Sequence, residues 1–192
     1  MAVYQFHLTI LPKKGVIEKF GKIPVKLDID HHERRVHYEL KKDDLLEDED
    51  EFKDAYTHDW WSTTDLLPIE IIHQIDKKVK RTRYGDDLAI YWKTYTHELD
   101  NDAEMIINEQ TGRIEILAFR ADLRTVKGLE FLKGMVNLSK TYDWLLMDRK
   151  GNLIRPEMQE IKKLIIISNP YKFLKNPLKF LADIEKGTLD MV

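Results

Sequence analysis

The chain has 192 residues, 34% of them charged, and a formal net charge of −3, which gives no general attraction for nucleic acid or anionic lipid. It contains no cysteine, so disulfides, thiolate metal sites and cysteine nucleophiles are excluded. We find neither a signal peptide nor an apolar run near the about 20 residues of a membrane helix, and we expect one cytoplasmic domain over residues 1–192 that binds neither nucleic acid nor membranes.

Alternating hydrophobic residues predict strands in the N-terminal third. The first alternation consists of four apolar residues separated by mostly polar ones: Tyr4, Phe6, Leu8 and Ile10. This is the period-2 pattern of a half-buried strand. Residues 23–40 contain two further alternations around a polar turn at residues 30–33, so we predict a hairpin there. The polar residues of these strands predict an antiparallel sheet with one face in water.

Four helices are predicted from apolar residues spaced three and four positions apart, around residues 66–80, 126–142, 156–168 and 177–186. Pro68 suits the first turn of the first helix, because a proline there removes no helical hydrogen bond. Shorter alternations between the helices predict hairpins, with Gly112 in the left-handed position of one turn. The whole pattern indicates an α+β fold, with a largely antiparallel sheet built from hairpins and packed by these helices.

A short repeat lies near the C-terminus. The sequence NPYKFL at residues 169–174 returns as NPLKFL at residues 176–181. Asparagine caps helices and proline suits the first helical position, so each copy predicts a helix start at Asn169 or Asn176. We expect the Phe-Leu pairs to dock this tail on the core.

An acidic segment interrupts the predicted elements at residues 41–62, which we interpret as a long loop within the domain. Eight of the twelve residues from 43 to 54 are acidic, and none is the glycine that a calcium-binding loop requires at its sixth position. Trp60 and Trp61 follow, and tryptophan is enriched among interface anchors. Two interpretations remain open. Either the loop is solvated while one indole fills the core and the other covers it, or the segment contacts a basic protein partner. The residues predicted to bind this partner are Glu47, Asp48, Glu49, Asp50, Glu51, Trp60 and Trp61.

No residue pattern identifies a catalytic reaction. The sequence has no phosphate-binding loop, dinucleotide-binding glycine pattern or nucleophile elbow. His31, His32 and His37 lack a metal-binding spacing, since neighbouring residues of an extended chain point to opposite faces. We therefore predict no catalytic residue, no cofactor and no metal site.

Arg120, Asp122 and Arg124 stand at alternate positions after a predicted strand, so they face the same way if the strand continues. Two arginines on one face can bind a carboxylate or phosphate through their paired N–H groups, which makes Arg120 and Arg124 candidate anion-binding residues. The other interpretation is an internal network of ion pairs where the strand leads into a helix.

The C-terminal part of the chain carries a resemblance. Its residues are FRADLR at 119–124, FL at 131–132, WLL at 144–146, DRKG at 148–151 and residues 168–181. Roughly the last 75 residues resemble uncharacterised bacterial proteins, some of them of the immunity type encoded beside toxins. The resemblance implies a small bacterial cytoplasmic protein that neutralises a toxin by binding it. It carries no catalytic role to any residue.

The leading hypothesis is a protein-binding module without catalytic activity, of immunity or regulatory type, that uses the acidic segment and its tryptophans. The alternative is an enzyme of unknown class with a site near Arg120, Asp122 and Arg124, together with the polar sheet face that carries Gln5 and His7. A subunit of a larger assembly is a third possibility.

Overall fold

The computed structural model describes residues 3–42 and 52–189. Within them, helices pack around a seven-stranded antiparallel sheet, which confirms the predicted α+β fold. The strands are β1 (Gln5–Pro12), β2 (Arg81–Gly85), β3 (Ala89–Tyr95), β4 (Asp100–Ile107), β5 (Ile114–Asp122), β6 (Trp144–Met147) and β7 (Leu153–Ile154). The helices are α1 (Lys13–Phe20), α2 (His31–Lys42), α3 (Pro68–Asp76), α4 (Val126–Thr141), α5 (Met158–Ile167), α6 (Asn169–Lys175) and α7 (Pro177–Glu185).

Strand β1 lies inside the sheet, whose strand order is β2-β3-β4-β5-β1-β6-β7. The prediction of a face in water is wrong for this strand, because nearly all of its residues are buried. On the first face of the sheet, Leu8 is paired with Phe119, and the Phe119 ring contacts Phe131 of α4 with 6.0 Å between centroids. The second face carries Gln5, His7 and Thr9 and lies beneath α2 and residues 52–61.

The predicted hairpin over residues 23–40 is wrong, because residues 31–42 form α2. Asp30 begins this helix. Its Oδ1 accepts hydrogen bonds from the backbone N–H of His32 (3.0 Å) and of Glu33 (2.9 Å), as an N-cap residue does. The apolar residues whose alternation resembled a strand are exposed on the helix: Val36, Tyr38 and Leu40. The alternation of these residues therefore does not correspond to a buried face of a strand.

The four predicted helices are confirmed as α3, α4, α5 and α7, each shorter at one or both ends than predicted. Helix α1 and strand β2 were not predicted, and the basic run at residues 77–83 continues into β2 instead of ending a helix. In the C-terminal repeat Asn176 caps α7, accepting from the backbone N–H of Lys179 at 3.0 Å. Ser168, not Asn169, caps α6. Of the two Phe-Leu pairs, Phe180 is buried against Phe173, whereas Leu181 is exposed.

Two glycines of α4 have different surroundings. A Cβ added to Gly128 would clash with the backbone carbonyl of Asp122 at the end of β5. A Cβ added to Gly134 would meet only the flexible side chain of Lys78, whose Cδ would be 3.3 Å away. Gly128 therefore permits the close approach of α4 to the sheet, and Gly134 does not have this role.

We expect Gly128→Ala to lower the free energy of unfolding by at least about 2 kcal/mol, because the backbone of α4 must move away from β5. Gly134→Ala is the matched control in the same helix, and alanine's higher helix propensity should stabilise the protein by up to about 1 kcal/mol. Denaturant unfolding of the two variants measures both effects. Equal stability of the two variants would contradict the close approach at Gly128.

Candidate functional site

The residues predicted to contact a partner are only partly described. Glu47, Asp48, Glu49, Asp50 and Glu51 lie outside the described residues. Trp60 and Trp61 are both buried, with 3% and 1% of their surfaces exposed, so the expectation that one indole covers the core from outside is corrected. The Trp60 Nε1 donates to the Ala55 carbonyl at 2.7 Å, and the Trp61 ring meets Trp144 edge-on at 5.3 Å. In this structure the indoles offer almost no surface to a partner.

The two arginines predicted to bind an anion are engaged by carboxylates. Arg124 Nη2 lies 2.7 Å from Asp122 Oδ2 and its Nε lies 3.0 Å from Asp122 Oδ1, while Arg120 Nε lies 2.6 Å from Asp102 Oδ1. Burial by itself raises the pKa of Asp122, but hydrogen bonds from the side chain and backbone of Arg124 and the backbone of Asp100 lower it on balance. This arrangement favours the internal ion-pair network over an anion site.

A first concavity, which we call the acidic hollow, has a volume of about 670 Å³ and lies between the end of α1, the start of α2 and residues 52–60. Five carboxylates line it: Asp28, Asp30, Glu33, Asp54 and Asp59. Among the described residues that line the hollow, two lysines, Lys19 and Lys53, oppose them. His58 also lines the hollow, and burial and the charge of Lys19 lower its pKa, which favours the neutral imidazole.

Three of these carboxylates have structural partners. Asp30 caps α2, Asp54 Oδ1 lies 2.8 Å from Arg34 Nη1, and Asp59 Oδ1 accepts from the backbone N–H of Trp61 at 3.1 Å. Asp28 and Glu33 are exposed, and their carboxylates bind no side chain in the described part of the chain. Asp28 and Glu33 are evident in the sequence. The incorrect hairpin prediction, however, did not place them beside the acidic segment.

A second concavity, which we call the sheet cleft, has a volume of about 620 Å³ and lies between α2 and the second face of the sheet. Its floor is formed by Thr9 of β1 and Ala118 of β5, which are paired directly across the two strands. These side chains are short, whereas His7 and Glu104 at their flanks are long, so space remains above the floor. The pairing of β4 and β5 is irregular between Ile106 and Ile107.

The polar groups of the sheet cleft have shifted pKa values. Burial, helped by the charges of Arg149 and Arg120, lowers the pKa of His7 to about 4. Burial raises the pKa of Tyr56 to about 12 and also raises the pKa of Glu104. The imidazole of His7, the carboxylate of Glu104 and the hydroxyl of Tyr56 form no hydrogen bond within residues 3–42 and 52–189. Unpaired groups of this kind in a cleft mark a candidate binding site.

Comparisons of the chain with protein-family models, with curated proteins and with solved structures found no match. Among the helices that the structure describes, none is long and apolar enough to cross a membrane. No group of three or more histidine and acidic side chains in the described ranges is arranged to hold a metal ion. The two concavities are therefore the candidate functional sites of the described chain.

Because the pKa of His7 is low in the folded state, we expect His7 to make the free energy of unfolding depend on pH. An unfolded histidine titrates near its ordinary value of 6.5, whereas folded His7 titrates at about 4, so between these values only the unfolded state gains a proton. The contribution of neutral His7 to the free energy of unfolding is therefore fully present above pH 6.5. It is lost as the pH falls toward 4, and the free energy of unfolding decreases by no more than about 1.4 kcal/mol per pH unit. His7→Gln should remove this part of the slope.

The measurement is the free energy of unfolding at a series of pH values. His97→Gln, at an exposed position between β3 and β4, is the matched control and should keep the wild-type slope. Parallel curves for the wild type and His7→Gln would show that His7 does not titrate as described.

Proposed function

We propose that this chain is a protein-binding module of immunity or regulatory type, without catalytic activity, and that it contacts a basic partner through the acidic hollow. The observation that supports this proposal is the excess of carboxylates over lysines in one concave surface. The hollow includes the described end of the acidic segment, at residues 52–60. Glu47 to Glu51 precede it in the chain and add five more negative charges to the segment.

The charge of the hollow is predominantly negative. Among the described residues that line it, five carboxylates face two lysines, and Arg34 compensates the charge of one of these carboxylates, Asp54. Segregated charge of one sign steers a partner of opposite charge and selects against partners of the same charge. Lysine and arginine side chains are long enough to enter a concavity of this size from a partner's surface.

The hollow also has an apolar component. Phe20, at the end of α1, lines it with 44% of its surface exposed, and its ring stacks on Trp60 with 6.2 Å between centroids. Protein interfaces combine apolar anchors with a charged rim, and an exposed aromatic side chain beside carboxylates fits that composition. Phe20 is therefore the residue that would contact the partner, and the buried Trp60 packs against its ring.

Charge reversal at the two unpaired carboxylates tests this proposal. We expect Asp28→Lys/Glu33→Lys to reduce capture of a basic protein from extracts of the native cell by at least about tenfold, because two attractive contacts become repulsive. Captured proteins are identified and quantified by mass spectrometry, at low and high salt, since screening should weaken binding to the wild type.

The control variant is Asp87→Lys/Glu109→Lys, which changes the net charge equally at exposed positions outside the hollow. It should capture the same protein as the wild type. If the hollow variant retains that protein as well as the control does, or if the protein captured is acidic, the proposal fails.

The alternative, an enzyme with a site near Arg120, Asp122 and Arg124, finds partial support in the sheet cleft. His7 lines the cleft and is paired with Arg120 across β1 and β5. The three residues themselves do not line the cleft, and each arginine is held by a carboxylate. We therefore propose binding rather than catalysis as the function.

A further inference from the structure

The sheet cleft adjoins the acidic hollow, with which it shares Ala55 and Trp60, and has its own chemistry. Its apolar floor and end are formed by Leu11, Ile116 and Ala118, and α2 lies opposite with Arg34, Arg35 and Tyr38. A volume of about 620 Å³ falls within the range of sites that bind small molecules. The cleft is large enough for an apolar group of the size of an aromatic ring to lie on this floor.

Hydrogen-bond donors are concentrated at one side of the cleft. His7 belongs to β1, Arg149 to the turn between β6 and β7, and Tyr56 to the segment after the acidic run. Arg149 lies close enough to both His7 and Tyr56 for its charge to lower the pKa of each. The imidazole of His7 and the phenol O–H of Tyr56 have no hydrogen-bond acceptor in the described part of the chain, and such donors favour a carboxylate at this side.

Carboxylates are concentrated at the other side. Glu104 belongs to β4, where it is paired with Ala118, and Glu115 belongs to β5. In the strand order these residues lie on the β4 side of the floor, whereas His7 and Arg149 lie on the β1 and β6 side. Glu104 makes no ion pair in the described part of the chain, and an approaching ammonium group would supply the donors that it lacks.

Arginines on α2 do not cancel this separation. The charge of Arg34 is compensated by Asp54, at 2.8 Å, and the Arg34 guanidinium stacks on the Tyr56 ring at 4.8 Å. Arg35 and Glu39 are one helical turn apart on α2 and both line the cleft, so they contribute opposite charges at its mouth. The separation of donors from carboxylates across the cleft therefore depends on His7 and Tyr56 at one side and Glu104 at the other.

We propose that the sheet cleft binds a small zwitterion with an apolar side chain, the chemistry of an aromatic or branched amino acid. Its carboxylate lies toward His7 and Tyr56, its ammonium group toward Glu104, and its side chain on Thr9, Ala118 and Ile116. A ligand with both charges satisfies groups at both sides of the cleft, whereas a singly charged ligand leaves one side unsatisfied.

The first test uses the wild-type protein with L-phenylalanine and L-leucine as probes. Trp60 and Trp61 line the cleft, so their fluorescence, excited where phenylalanine does not absorb, reports binding. N-acetyl-L-phenylalanine lacks the ammonium charge, and L-phenylalaninamide lacks the carboxylate. Each is expected to bind at least about tenfold more weakly than phenylalanine, because each loses charge-assisted hydrogen bonds.

Glu104→Gln supplies the residue-specific test. We expect it to weaken the binding of phenylalanine at least about tenfold but to leave the affinity for N-acetyl-L-phenylalanine unchanged, because that analogue has no ammonium group for Glu104 to bind. Glu98→Gln, at an exposed position between β3 and β4, is the matched control and should bind phenylalanine as the wild type does.

Two results would overturn the proposal. One is the absence of binding of both amino acids at millimolar concentration. The other is equal affinity of phenylalanine and its two analogues, which would show that only the apolar side chain is recognised. Because the analogue series requires no variant, it does not depend on whether Glu104→Gln folds. Neither result tests partner binding at the acidic hollow. The residues changed to test that binding, Asp28 and Glu33, do not line the sheet cleft.

Discussion

The position of β1 between β5 and β6 is the constraint on which the rest of the structure depends. An interior strand covered on both faces must pair or hydrate each of its polar groups, because an unpaired buried polar group is costly. Gln5 meets this requirement by donating to the Asp100 carbonyl (2.8 Å) and the Asp102 carboxylate (3.2 Å). His7 and Thr9 form no such side-chain hydrogen bond within the described residues, and they face the sheet cleft instead. The polar half of one strand thus supports an ion-pair network at one end and a candidate binding site at the other.

An ion pair joins the walls of the two concavities, which also share Ala55 and Trp60. Arg34 projects from α2 and lines the sheet cleft, and Asp54 lines the acidic hollow. Their side chains are largely buried, and Asp54 Oδ1 also accepts from the backbone N–H of Tyr56 at 2.7 Å. Because a buried charge that loses its partner is strongly destabilising, this pair fixes α2 to residues 52–61. Both surfaces therefore depend on the same contact, although their charges and shapes differ.

The sequence predicted best those elements whose local signals agreed with their final burial. Helix α4 had a broad apolar face, and the turn before β5 had Gly112, whose φ of 66° is the left-handed conformation that glycine favours. The prediction failed at residues 23–40, and in the second half of that range the alternating residues Val36, Tyr38 and Leu40 are exposed on a helix. A helix start was nevertheless encoded there, since Asp30 followed three residues later by Glu33 resembles a capping box.

The candidate sites were harder to predict because they depend on contacts between distant segments. The acidic segment and the tryptophans were visible in the sequence, but burial of both indoles requires α1, whose Gly15 has no Cβ to clash with the Trp60 backbone. The sheet cleft arises because a threonine and an alanine, both short, are paired across β1 and β5. Neither residue is unusual in its own strand. Only the register between the strands places them together, and only that register brings His7 and Glu104 to the two sides of the space they leave.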